Sequence, residues 1–106
     1  MPTAVDPSVN NVAFNSITVR RGAVFTTTLT GANLNAEIYF DVRFRAPGAT
    51  SDEVALNWQQ GTIRNRTIDS TTLLGLWRVT GVRAHRDPND HSAAFIPVSA
   101  SLTVVP

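Results

Sequence analysis

Apolar and polar residues alternate without a break along Glu37-Ile38-Tyr39-Phe40-Asp41-Val42-Arg43-Phe44-Arg45. Successive side chains of a strand point to opposite faces, so Ile38, Phe40, Val42 and Phe44 share one side and Glu37, Tyr39, Asp41, Arg43 and Arg45 the other. At helical spacing the same apolar groups would scatter round the cylinder and leave no single face to bury. The stretch is therefore expected to be a half-buried strand, and the rest of the chain must cover its apolar side.

The pattern elsewhere has the same character. Val12 to Arg20 reads as a strand with Ile17 and Val19 inward, and Phe14 joins them only through a register shift near Asn15-Ser16. After a turn at Arg21-Gly22, Ala23 to Thr30 places Phe25 and Leu29 on one face, and residues 31–35 form a loop. Ala46-Pro47-Gly48-Ala49 has proline and glycine at the two central positions of a type II turn. Asp52 to Gln59 then groups Val54, Leu56 and Trp58 against Ala55 and Asn57. Thr62 to Ile68 is a weaker strand with Ile63 and Ile68 out of phase, which implies a bulge or an edge position. Leu76 to Ala84 puts Trp77 and Val79 on one face until Gly81 interrupts the alternation, a second expected bulge. Asp87-Pro88-Asn89-Asp90 suits a type I turn and so a hairpin into a final strand, Ala94 to Val104. There Ala94, Ile96, Val98, Ala100, Leu102 and Val104 share one face, and Pro97, with no N–H to donate, points to a bend or an edge. About seven strands, regular turn signals and no helix predict an all-β, two-sheet sandwich of antiparallel strands. Residues 1–11 contain two prolines and no sustained pattern, so they are expected to form an extended arm before a single domain at 12–106.

Composition narrows the classes. A chain of 106 residues and 11.5 kDa supports one core. With 42% hydrophobic and 16% charged residues it is neither disordered in composition nor long enough in its apolar runs for a transmembrane helix. A net charge of +1, with acids interspersed among the bases, argues against a nucleic-acid partner. Cysteine is absent, which removes disulfides, thiol chemistry and thiolate metal sites. All nine basic residues are arginine, so neither Schiff-base catalysis nor a lysine–asparagine crosslink is available. Met1-Pro2-Thr3-Ala4 begins no basic and hydrophobic leader, so the chain is expected to be cytosolic or the mature part of a longer exported protein.

The segment from Ser16 to Leu34, with Gly22 and Thr30-Gly31-Ala32-Asn33-Leu34 carrying the match, resembles the opening of IPT/TIG modules. In those modules a paired glycine precedes the strand; here Arg21 stands where the first would be. The resemblance implies an immunoglobulin-like sandwich of the kind found in bacterial surface proteins, where such modules are structural, adhesive or spacer domains.

Four sets of residues are candidates for chemistry or binding. His85, Asp87, Asp90 and His91 flank the last turn and would converge there as zinc or calcium ligands. The simpler expectation is that Asp87 and Asp90 bond the turn backbone and that no metal or cofactor is held. Tyr39, Asp41, Arg43 and Arg45 form a polar stripe, read first as a solvated face with cross-strand ion pairs and second as a ligand groove. Trp58 and Trp77 would be stacking platforms if exposed, but by phase both are expected inside. Asn65-Arg66-Thr67 is an N-glycosylation pattern on an expected exposed strand. No nucleophile elbow, phosphate-binding loop or zinc-protease helix is present, and the adjacent acids Asp52 and Glu53 would point to opposite faces. The expected function is a non-enzymatic extracellular or cell-surface module that contacts other proteins or copies of itself, with the arm adding a strand to a neighbour in a filament. The alternatives are a carbohydrate-binding accessory domain, with glycans as partners, and a passive spacer of a larger surface protein.

Overall fold

The computed structural model describes residues 6–106. Eight strands run in the order β1 (Ser8–Phe14), β2 (Thr18–Arg20), β3 (Val24–Ala32), β4 (Tyr39–Arg45), β5 (Glu53–Gln60), β6 (Ile63–Thr67), β7 (Gly75–His85) and β8 (Ile96–Val105), with no helix among the described residues. They form a three-stranded sheet, β1-β3-β6, and a five-stranded sheet, β2-β8-β7-β4-β5. The architecture is all-β and sandwich-like. No helix among the described residues is long and apolar enough to cross a membrane.

The segment that sets the pattern is β4. Ile38, Phe40 and Val42 are 1%, 0% and 2% exposed, and Phe44 packs against the cluster they build with Val9, Val12, Leu29, Val79, Val82 and Ala84. A second cluster gathers Val19, Phe25, Ile68, Leu102 and Val104, and the half-buried Phe14 and Trp58 touch both. Pro47-Gly48 reverses the chain as its sequence requires: Ala49 N–H donates to the Ala46 carbonyl, and Gly48 sits at φ 75°, where a side chain would be strained.

Where the structure departs from the alternation there is a local cause. The strand expected over Val12–Arg20 is two strands, β1 and β2, because the chain crosses from one sheet to the other after Phe14. That crossing makes the count eight and leaves Ile17 77% exposed instead of inward. β2 also runs parallel to β8, pairing Thr18 with Thr103, so the strands are not all antiparallel. The expected arm contributes Ser8 to Asn11 to β1, opposite β3, while its residues 1–5 lie outside the described residues. In β5 a bulge around Asn57 (φ 50°) puts two extra residues opposite β4; Ala55 faces Val42 while Val54 and Leu56 turn out to solvent. Trp58 and Trp77 are half-buried at the margin of the core instead of fully inside. β6 is an edge strand and β7 shifts register between Val79 and Gly81, both as the sequence implies. β8 alternates inward from Val98 to Val104, whereas Ala94 and Ile96 are exposed beyond the core. Pro97 stands opposite Gly81 on the stretch of β8 that pairs with β7 alone, so the other side of its backbone faces no strand, the edge setting in which proline is tolerated.

Candidate functional site: a buried carboxylate beneath two imidazoles

Asp41 lies between Phe40 and Val42, so alternation sends its side chain to the outer face of the five-stranded sheet, and yet it is 0% exposed. Its cover is the connection from β7 to β8, which folds back over that face. Asn57, at the bulge of β5, donates its backbone N–H to Asp41 Oδ1 (2.8 Å) and its side-chain amide to the Pro88 carbonyl (2.9 Å). Arg83, directly opposite Asp41 in the ladder, donates Nε–H to Oδ2 (2.6 Å) and Nη1–H to the Ala93 carbonyl (3.3 Å). Phe95 closes this side, with its ring centroid 4.3 Å from the Arg83 guanidinium carbon and 5.4 Å from that of Arg43. The connection is thus pinned at both of its ends and at its middle to the sheet below.

The two histidines complete the enclosure. His85 Nε2 is 2.9 Å from Asp41 Oδ1, and His91 Nδ1 is 2.8 Å from Oδ2. Their ring centroids are 4.8 Å apart, edge to face, and Tyr39 stacks on the far side of His85 at 6.0 Å. His85 is almost buried, whereas the His91 side chain keeps 24% of its surface in solvent and forms the outer wall. Burial works against ionisation of Asp41, but the Asn57 N–H, His85, Arg83 and His91 outweigh it and hold the carboxyl well below the usual carboxylate range. The Asn57 N–H and Arg83 each donate to one of its oxygens, and an imidazole nitrogen lies within 2.9 Å of each. A buried ion pair of this kind is costly to break because one partner is left charged and unpaired.

His85 and His91 do converge across the last connection, as their positions in the sequence imply, but Asp87 and Asp90 do not join them. Asp87 Oδ1 accepts from Asn89 N–H, and Asp90 Oδ1 accepts from the Ser92 N–H and hydroxyl. The Ser92 bonds, followed by the nearby imidazoles, hold the Asp90 carboxyl below its ordinary value. The carboxylate at the histidines is Asp41, from the stripe expected to be solvated, so that expectation is corrected at this position. The cause is tertiary: the connection covers that face. One sequence signal bears on it. Ten residues separate His85 from Ile96, far more than a tight hairpin needs, and they include Ala93-Ala94-Phe95, an apolar group with nothing in the hairpin itself to pack on.

The rest of the stripe behaves as an ordinary polar surface. Arg45 Nε lies 2.9 Å and Arg43 Nε 3.6 Å from the Asp52 carboxylate. Arg43 also donates to the Thr80 hydroxyl and carbonyl, lying flat across Gly81, where an added Cβ would come within 2.8 Å of the guanidinium. Asn65 is exposed on β6 and accepts a 2.6 Å hydrogen bond from the Thr26 hydroxyl. The tryptophans line an apolar cleft of about 290 Å³ between the sheets together with Phe14, Phe25, Phe44 and Ile68. One face of Trp58 is occupied by the Arg66 guanidinium, 3.8 Å from the ring centroid, and Trp77 Nε1–H donates to the Leu73 carbonyl. Searches against protein-family models, curated proteins and solved structures find no match to this chain.

Proposed function

We propose that this chain is a non-enzymatic structural or adhesive module with an immunoglobulin-like sandwich, related in plan to IPT/TIG domains, and that it acts outside the cell by contact with other proteins, including copies of itself. The observation that carries the reading is the edge strand β5. It runs for eight residues with a neighbour, β4, on one side alone. Its Val54 and Leu56 are 48% and 55% exposed. Open edges are ordinarily blunted by lysine, proline or extreme shortness, because a row of free N–H and C=O groups recruits another strand. β2 is blunted in this way, with three residues and Arg20 at its end, and β6 carries Arg64 and Arg66. The first half of β5 carries two aliphatic side chains. Strand addition there by the residues that precede β1 of another copy would be a head-to-tail contact, which propagates into a filament instead of closing.

Sedimentation over a range of concentrations and electron microscopy of the purified protein test this reading. Concentration-dependent assembly is expected, with Val54→Lys/Leu56→Lys abolishing it and removal of residues 1–7 abolishing it equally. A monodisperse monomer at every concentration refutes self-association through this edge.

A further inference from the structure

Two acceptors face His85. The Asp87 carbonyl oxygen, 2.7 Å from Nδ1, can only accept, so Nδ1 carries a proton and donates it. Nε2 then points at Asp41 Oδ1 from 2.9 Å, and an ionised carboxylate oxygen also can only accept. Nε2 and the carboxylate oxygen therefore face each other as a nitrogen–oxygen donor pair, with Nδ1 already engaged by the backbone. A backbone carbonyl holding the remote N–H of an imidazole is the usual arrangement behind a metal-ligating histidine, because it fixes the tautomer and aims the other nitrogen at the ion.

His91 Nδ1 faces the other oxygen of the same carboxylate, and the candidate donor atoms of Asp41, His85 and His91 all lie within 4.8 Å of one another. Nitrogen and oxygen ligands of zinc sit about 2.0–2.2 Å from the ion, which separates neighbouring donors by about 3.4 Å in a tetrahedron. The 2.8 and 2.9 Å contacts, one to each carboxylate oxygen, would spread by about half an ångström, and the widest separation among the donors, within 4.8 Å, would close toward the same value. Asp41 is further braced by Asn57 N–H and Arg83, as ligating carboxylates are. His91, with 24% of its side chain in solvent, provides the route of entry. We infer that Asp41, His85 and His91 form a binding site for a divalent transition-metal ion of the zinc class, which clips the β7–β8 connection to β4. Imidazole and carboxylate donors with no thiolate suit zinc, cobalt, nickel or copper over calcium and magnesium.

The test uses the untagged chain, stripped with chelator and titrated with Co²⁺, followed by displacement with Zn²⁺. One equivalent of Co²⁺ is expected to bring up visible d–d bands that Zn²⁺ removes, and Zn²⁺ is expected to raise the thermal midpoint. His91→Ala, at the exposed wall, should keep the metal-free fold by circular dichroism and weaken Co²⁺ binding about tenfold or more. Asp87→Ala should bind as the parent does, since only its backbone carbonyl takes part. Absence of the bands in the parent, or binding by His91→Ala within about twofold of the parent, overturns the assignment. The result is independent of whether the chain self-associates, which the sedimentation of the metal-free protein reports separately.

Discussion

The molecule buries side chains in two places by different means. Between the sheets, Phe40, Val42, Val82 and their neighbours are hidden because strand alternation turns them inward, and the second sheet closes over them. On the opposite face of the same strands, Asp41 and His85 are hidden because one connection folds over them and is tied down by hydrogen bonds. The first region is shape-filling and non-directional, so it should respond to lost volume. The second is directional and charged, so it should respond to a change of a single atom at constant shape.

The sharpest separation comes from paired substitutions on adjacent residues of β4. Phe40→Ala removes a fully buried ring and is expected to cost about 3–5 kcal/mol in urea unfolding of the metal-free protein. Phe40→Leu should recover much of that loss, since a smaller apolar side chain still fills part of the space. Asp41→Asn changes no volume, but it leaves the Arg83 guanidinium, 13% exposed, without its anion and presents an amide N–H₂ to donors. A loss of about 2–3 kcal/mol is expected there, carried by electrostatics alone. If Asp41→Asn were neutral while Phe40→Ala was not, the polar cluster would be a passive consequence of the loop and the contrast would disappear.

The same contrast explains what could be read from the chain. Alternation over residues 38–44 found the inward face of β4, turn chemistry found the reversal at Pro47-Gly48 and the interrupting glycine found the bulge at Gly81, because each depends on residues close in sequence. It also assigned Asp41 to the correct side of the strand. What it could not supply is that residues some fifty positions later return to cover that side, a fact of topology that leaves no trace in the local period. The phase errors have a related origin. Val54 and Leu56 were expected inside because the bulge at Asn57 has no glycine to announce it; a non-glycine residue takes the positive φ. The metal-site candidates were half legible: a hairpin brings its two flanking histidines together, but the carboxylate they meet belongs to another strand.

Asp69 sharpens the comparison from the side of exposure, and with the smallest effect. Like Asp41, it is a carboxylate that collects several donors: Oδ1 accepts from Thr71 N–H (2.8 Å), Thr71 Oγ1–H (2.6 Å) and Thr72 Oγ1–H (3.2 Å). The Thr71 hydroxyl leads these in lowering its carboxyl from the ordinary value, with the Thr71 N–H and the Thr72 hydroxyl behind it. A depressed carboxyl stabilises the fold above the unfolded aspartate range, near pH 4, and that contribution is lost as the pH falls through the lower folded value. Asp69 stands in solvent, where water replaces any donor it gives up, whereas the donors around Asp41 have no such substitute. Asp69→Asn is therefore expected to leave the thermal midpoint at pH 7 nearly unchanged and to make the decline on the acid side slightly shallower, measured by melts from pH 7 down to about pH 2. A loss at pH 7 as large as that of Asp41→Asn would mean that the hydrogen bonds themselves, and not their exclusion from water, set the energetic difference between the two carboxylates.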